Sequence, residues 1–232
     1  MPLKEYHKKR DFKVTPEPLG KSKSAEKATS ALGYVIQKHR ASHLHYDFRL
    51  EWNGALLSWA VPKGPSLDPA VKRLAMQVED HPIEYANFEG VIPEGEYGGG
   101  TVMVWDKGTW EPESPDVDEA LRKGDLKFTL HGQKLKGSWV LVRTRGFGGS
   151  PGRPSWLLIK HRDQFALEGD ITVEAPYSAL THRLLADIAR EGGGDVEKAA
   201  SGDPSAAEER TGSSARAGSS RKRTRRQSSS KK

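Results

Sequence analysis

Cysteine is absent from the 232 residues. That excludes disulfides and every thiolate chemistry, and it leaves histidine and carboxylate as the side chains able to hold a metal. No run of about 18 apolar residues exists, so no helix is expected to cross a membrane. The amino terminus, Met1 to Arg10, is basic and lacks the apolar stretch of a secretory signal. No internal repeat is visible, which argues against a propeller or solenoid. These absences fit a cytoplasmic protein with no membrane contact. Hydrophobic residues amount to 35% against 29% charged, with 24 Gly and 14 Pro. Part of the chain is therefore expected to stay unfolded, while the rest suffices for one domain of ordinary size.

What is present is concentrated in a short stretch, His39-Arg40-Ala41-Ser42-His43-Leu44-His45-Tyr46-Asp47-Phe48-Arg49. From His45 onward, His45, Asp47, Arg49 and Glu51 alternate with Tyr46, Phe48, Leu50 and Trp52. A period of two predicts a half-buried strand with a wet face and an apolar face. Asn53-Gly54 then precedes Ala55–Val61, and this dipeptide suits a two-residue hairpin because both central positions need positive φ. His45, Asp47 and Arg49 thus share one sheet face. The short Arg40–His43 link can return the preceding strand, Tyr34–Lys38, so that His39 lies beside His45. Two imidazoles and a carboxylate are an adequate protein share for a divalent cation. Arg49 adds a planar fork suited to a pair of phosphate oxygens, and His81 is a further imidazole downstream. The pattern points to metal-assisted phosphoester chemistry.

Strand signals recur at Tyr34–Lys38, His45–Trp52, Leu56–Val61, Leu74–Glu79, Thr101–Trp105, Lys127–His131, Ser138–Thr144 and Ser155–Lys160, most bounded by Gly, Pro, Asn or Asp. Many short strands imply a β-barrel or sandwich. One helix is expected from Ser114-Pro115-Asp116 to Gly124. Another is expected to open at Ser178, with Leu180, Leu184, Leu185 and Ile188 on one face, and to stop at Gly192. Trp59, Trp105, Trp110, Trp139 and Trp156 sit in strand contexts and read as core or wall. Gly90–Gly100 lacks the Gly-Lys-Ser/Thr ending of a phosphate-cradling loop and reads as a tight connection.

Residues 1–30 are basic, contain proline and lack periodicity, so they read as a flexible arm. Residues 31–191 form the expected domain, and 192–232 a disordered tail. After Glu209 there are nine Lys and Arg and no acid. Such a segment can neutralise phosphates on a polyanion, although it would equally serve as a solubilising tail.

Gln37-Lys38-His39, Leu44–Glu51, Ser58-Trp59-Ala60-Val61-Pro62-Lys63-Gly64-Pro65, Val78-Glu79-Asp80-His81-Pro82 and Phe88–Gly98 together resemble the phosphoesterase module of bacterial DNA ligase D, from about Arg10 to Ala166. The resemblance implies a mainly β fold, a compact β-barrel with a few flanking short helices. It also implies a manganese-dependent enzyme that removes a 3′-terminal ribonucleotide and then the 3′-phosphate, leaving a 3′-hydroxyl. Carried over by position, it puts Mn2+ on His39, His45 and Asp47, and the scissile phosphate near Arg49, His81 and Tyr85. Gln37 and Glu79 become supports that orient these groups. Arg10, Asp11 and Glu17 become an arm over the terminal nucleotide, and Lys63 a contact to the nucleic-acid backbone.

The implied partners are DNA or RNA–DNA 3′ ends and, onward, a DNA ligase or end-joining protein, with a monomer as the default state and nucleoid association in a bacterium. No room exists here for a ligase or polymerase domain, so a stand-alone phosphoesterase is expected. Two other readings remain open from the residues: a non-catalytic nucleic-acid-binding barrel, and a non-haem iron or cupin-like oxygenase built on His45-x-Asp47.

Overall fold

The computed structural model describes residues 3–20, 31–144 and 154–205. Among the described residues nine strands follow in chain order: β1 Leu32–Arg40, β2 Leu44–Trp52, β3 Ala55–Val61, β4 Lys72–Gln77, β5 Gly90–Ile92, β6 Gly100–Pro112, β7 Asp125–Gly132, β8 Lys136–Arg143 and β9 Ser155–Lys160. They are ordered β1-β2-β3-β4-β9-β8-β7-β6-β5, and β1 also pairs with β6. That last pairing closes an eight-stranded antiparallel barrel, with β5 added beside the first residues of β6. Closure removes the open edges that an eight-stranded sheet would otherwise expose.

The hairpin between β2 and β3 turns on Asn53 at φ 49° and Gly54 at φ 79°, the positive pair the dipeptide favours. Inside the barrel, Tyr46, Phe48 and Leu50 of β2 meet the five expected tryptophans, all buried. Truncating any one of these to alanine would cost about 3–5 kcal/mol.

Where β1 meets β6 the register slips, Ile36 facing Asp106 and Gln37 facing Val104. This bulge leaves consecutive Trp105 and Asp106 both fully buried. Trp105 joins the core, while the Asp106 carboxylate accepts from the Tyr34 hydroxyl at 2.6 Å and from the backbone N–H groups of Gln133, Lys134 and Leu135. One buried carboxylate thereby satisfies four donors and fixes the turn between β7 and β8.

The helices are α1 Lys4–Lys8, α2 Val117–Lys123, α3 Ile171–Glu174, α4 Leu185–Glu191 and α5 Val196–Ala200, with a 3₁₀ turn at Ile83–Asn87. In α2, Asp116 caps the Glu119 N–H and Gly124 ends the helix at φ 81°. The helix expected to open at Ser178 begins instead at Leu185. Ser178 forms a turn whose hydroxyl accepts from the Leu180 and Thr181 N–H groups, and His182 takes φ 58°, which interrupts helical backbone.

Residues 192–205, read from sequence as the start of the tail, carry α5. Asp203 there pairs with buried Lys38 at 3.4 Å and caps the N–H groups of Leu185 and Ala186. Residues 3–20, read as part of a flexible arm, pack on the barrel with Tyr6 buried. The basic stretch after Glu209 lies outside the described residues. Among those described, no helix is long and apolar enough to cross a membrane.

Candidate metal centre

The β1–β2 register sets the site. Val35 faces Arg49, Gln37 faces Asp47 and His39 faces His45. Alternation turns Tyr46, Phe48 and Leu50 inward, so His45, Asp47 and Arg49 stand on the outer wall next to Gln37 and His39. The outer face is not wet, contrary to the alternation pattern. Asp47 is 7% exposed and Arg49 2%. Their cover is a second apolar cluster of Tyr6, Val35, Leu56, Tyr85 and Val104, which brings the amino-terminal segment and the 3₁₀ turn over the barrel wall.

The ligand atoms offered by His39, His45 and Asp47 lie within 4.8 Å of one another. His39 Nδ1 and His45 Nε2 each stand 3.6 Å from Asp47 Oδ2. The far nitrogens are held by backbone carbonyls, His39 Nε2 by Gly98 at 2.8 Å and His45 Nδ1 by His43 at 3.0 Å. A carbonyl can only accept, so each far nitrogen carries a proton and each near nitrogen is the one turned toward Asp47. Burial would push Asp47 up, but Arg49, His45 and His39 outweigh it and hold the carboxyl well below its usual range. At His45 burial works downward, and Asp47 more than offsets it, raising the imidazole. The donor set fits a divalent cation, and the group could hold one.

Arg49 is fixed from all sides. Its Nε donates to Gln37 Oε1 at 2.8 Å, Nη1 donates to Ser58 Oγ and meets His81 Nδ1, both at 2.8 Å, and Nη2 lies 3.2 Å from Asp47. Gln37 Nε2 donates in turn to the carbonyls of Tyr85 and Phe88. His81 lies between two guanidiniums, with Arg10 Nη2 3.3 Å from its Nε2. Burial, then Arg49 and Arg10, hold this imidazole well below its ordinary value, so it is neutral at pH 7.

That shift has a stability consequence. The unfolded chain takes up a proton at this histidine near pH 6.5 and the native state does not, so stability falls as pH drops through that value. Raised His45 acts in the opposite sense, so the comparison is with His81→Asn. Urea denaturation is expected to show a steeper acid loss in the parent protein than in the variant, and parallel curves would contradict the assignment.

The amino-terminal segment completes the wall. Arg10 Nε donates to Glu17 Oε1 at 2.9 Å, its Nη1 to the Tyr6 carbonyl, and its Nη1 lies 3.5 Å from Glu79. Glu17 also accepts from the Thr15 hydroxyl and from the Tyr85 hydroxyl at 2.9 Å. Burial and Glu17 push Tyr85 well above its ordinary pKa, so it remains a protonated donor. Lys9 pairs with Glu79 at 2.9 Å.

The fold therefore brings together His39, His45, Asp47, Arg49, His81, Tyr85, Gln37, Glu79, Arg10 and Glu17 around one cleft of about 260 Å³. Two sequence-predicted residues stand apart. Asp11 is exposed, its carboxylate capping the Lys13 N–H, and Lys63 is exposed in the turn after β3. Neither lines the cleft. Sequence reasoning passed over Ser58, Lys9, Tyr97 and Gly98. Only Ser58 carried a usable signal, a hydroxyl on the outward positions of β3 between Leu56 and Ala60.

Residues 37–143 match the model of the DNA Ligase D 3′-phosphoesterase domain family. A multifunctional non-homologous end joining protein LigD of Pseudomonas aeruginosa is 54% identical over 187 residues, 79% of this chain and 22% of that protein. A multifunctional non-homologous end joining DNA repair protein LigD of Mycobacterium tuberculosis is 45% identical over 189 residues, 80% of this chain and 23% of that one. The counterpart in Mycolicibacterium smegmatis is 42% identical over 167 residues, 70% of this chain and 21% of its own length. The chain spans about a fifth of the length of these curated relatives.

Proposed function

Because this chain belongs, through residues 37–143, to the DNA ligase D 3′-phosphoesterase family, we propose that it is a metal-dependent processor of nucleic-acid 3′ ends. The observation that carries the reading is the convergence of His39, His45 and Asp47 on one point, with the Arg49 guanidinium 3.2 Å from the same carboxylate. In the first reaction water adds to the phosphorus joining a terminal ribonucleoside. The bond from phosphorus to that nucleoside's 5′ oxygen breaks, the 5′ oxygen takes a proton, and a 3′-phosphate remains. In the second, water adds to that phosphorus, the bond to the 3′ oxygen breaks, and inorganic phosphate leaves a 3′-hydroxyl.

His39, His45 and Asp47 would hold the cation, Mn2+ by family resemblance, since imidazole and carboxylate accept several divalent ions. When bound, it supplies a Lewis acid for the phosphoryl oxygens. Arg49 has five N–H donors; Gln37, Ser58 and Asp47 face three, and His81 Nδ1, which also meets the Glu79 carbonyl at 2.9 Å, stands against a fourth. The fifth serves a phosphoryl oxygen as charge grows there. His81, neutral and hydrogen-bonded, positions rather than protonates in the substrate-free geometry. Tyr85 gives its one hydroxyl proton to Glu17 in the substrate-free geometry and would turn it to a phosphoryl oxygen once substrate is seated. Gln37 and Glu79 keep Arg49 and Arg10 aligned, and Arg10 with Glu17 meets the terminal nucleoside. Asp11 and Lys63 contact the nucleic acid farther from the cleft. The basic tail tethers the enzyme to DNA, and the end passes to a ligase or end-joining partner in the bacterial cytoplasm.

The test is incubation of the protein and Mn2+ with a labelled primer-template ending in one 3′ ribonucleotide, followed by product sizing and 3′-phosphate detection. Shortening and then dephosphorylation are expected; neither occurring sinks the reading. A chain ending at Ser205, in the same assay, is expected to raise KM in a salt-dependent way with kcat kept. A pure binder would instead show tight association, no turnover and indifference to Asp47→Asn.

A further inference from the structure

Two tyrosine rings line the cleft among the described residues, and they differ in kind. Tyr85 is buried, its hydroxyl committed to Glu17. Tyr97 is 44% exposed at the mouth. It stands in a turn closed by the Glu96 N–H on the Pro93 carbonyl and the Gly99 N–H on the Glu96 carbonyl at 2.9 Å. The turn is tight on itself and runs straight into the β6–β1 contact, since a Cβ at Gly99 would meet the Pro93 carbonyl at 2.7 Å and one at Gly100 the Arg40 carbonyl at 2.2 Å. The next residue, Gly98, supplies the carbonyl that anchors His39. The backbone that carries the ring is thus held one residue from the support of His39.

Two cations attend this ring. The Lys9 ammonium lies 4.6 Å from its centroid and 3.3 Å from its hydroxyl, and the Arg10 guanidinium 5.5 Å from its centroid. Lys9 is itself held by Glu79. An aromatic ring with positive charge over it and 44% of its surface still exposed, at the mouth of a cleft lined by Arg49 and His81, is an arrangement that can stack a nucleobase next to its phosphate. Arg49 and His81 line the same cleft as Tyr97, which stands at its exposed end.

We infer that Tyr97 is the seat for the base of the 3′-terminal nucleoside. The inference rests on the end-processing reading and names what that site recognises beyond the phosphate. Stacking uses a π-face common to all four bases, so the seat favours any base over none without reading sequence.

The experiment compares two primer-templates, one ending in an ordinary 3′ ribonucleotide and one in a ribose analogue with hydrogen in place of the base, on the full chain with Mn2+. The parent protein is expected to process the base-bearing end with kcat/KM about 5- to 150-fold higher. Tyr97→Phe keeps that preference and Tyr97→Leu abolishes it, both ends then proceeding at the base-less rate. Equal loss on both ends in Tyr97→Leu, or an unchanged preference, overturns the inference. Anisotropy of labelled duplexes ending in a 2′-deoxynucleotide with or without its base separates this from failure of the reaction. Preferential binding of the base-bearing end, lost in Tyr97→Leu, supports the seat even if no end is trimmed; equal binding of both ends by the parent protein overturns it.

Discussion

Arg49→Lys is expected to fold and to lose turnover on both kinds of 3′ end by about 10²–10³ in kcat, the scale for removing one preorganised donor from a developing oxyanion. The buried guanidinium reaches Gln37, Ser58, His81 and Asp47 at once because its donors are fanned in a plane. A lysine ammonium is compact and cannot span those four partners. It keeps the positive charge beside Asp47, so folding survives while alignment toward phosphate does not. Arg49→Ala goes further: it leaves Asp47 buried opposite an empty space, and breaking a buried pair in this way costs about 3–5 kcal/mol. Saturation kinetics and urea denaturation on both variants separate the two effects. A folded Arg49→Lys protein with parental kcat would remove the guanidinium from the reaction.

The features legible in the sequence are those set by near neighbours. Alternation along His45–Trp52 gave β2 and its two faces, and Asn53-Gly54 gave the hairpin, because a strand's period and a turn's φ angles are local properties. The five tryptophans read as core because strands on both sides left them nowhere else to point. The helix misplaced at Ser178 shows the limit of such reading. Leu180, Leu184, Leu185 and Ile188 have helical spacing, yet Leu180 is exposed and the intervening His182 is left-handed. Glu89, far back in sequence, accepts from the Ser178 and Thr181 hydroxyls and from Arg183, and holds the segment as a turn. Strand β5 was missed because three residues carry no measurable period.

The site divides along the same line. The convergence of His39, His45 and Asp47 was visible because β1 and β2 are adjacent in sequence and a short link forces His39 beside His45. The placement of His81 and Tyr85 needed the family resemblance, since nothing in a His-Pro dipeptide says which wall it faces. Residues 3–20 of the amino-terminal segment were the least legible part. Without periodicity it reads as an arm, but Tyr6 buries its ring against His81 and Tyr85, and Glu17 ties Arg10 to Tyr85. These contacts bridge about 70 residues of sequence, and no pattern within the first 20 residues encodes them. The same cover explains why Asp47 and Arg49 are buried on a face whose alternation looks wet.

Chelation of divalent metal is expected to abolish both reactions, and added Mn2+ to restore them and raise the melting temperature. The site asks little reorganisation of its ligands, because the Gly98 and His43 carbonyls already orient both imidazoles and Arg49 already keeps Asp47 ionised. Binding to the native state alone stabilises by about 2.7 kcal/mol at one hundred times Kd. For a chain of this size that is a rise of about 5–10 °C. Protons compete for the same lone pairs. Asp47 raises the His45 pKa, so this imidazole stays protonated to higher pH than an ordinary histidine, and the Mn2+ effect should weaken as pH falls from a point above about 6.5. Asp47→Asn keeps an oxygen acceptor for Arg49 but removes the anionic ligand. It is expected to melt cooperatively, to gain no more than a small fraction of the parental Mn2+ shift, and to turn over neither end. A shift of parental size in that variant, followed by differential scanning fluorimetry across a Mn2+ series, would mean that the ion sits somewhere other than on His39, His45 and Asp47.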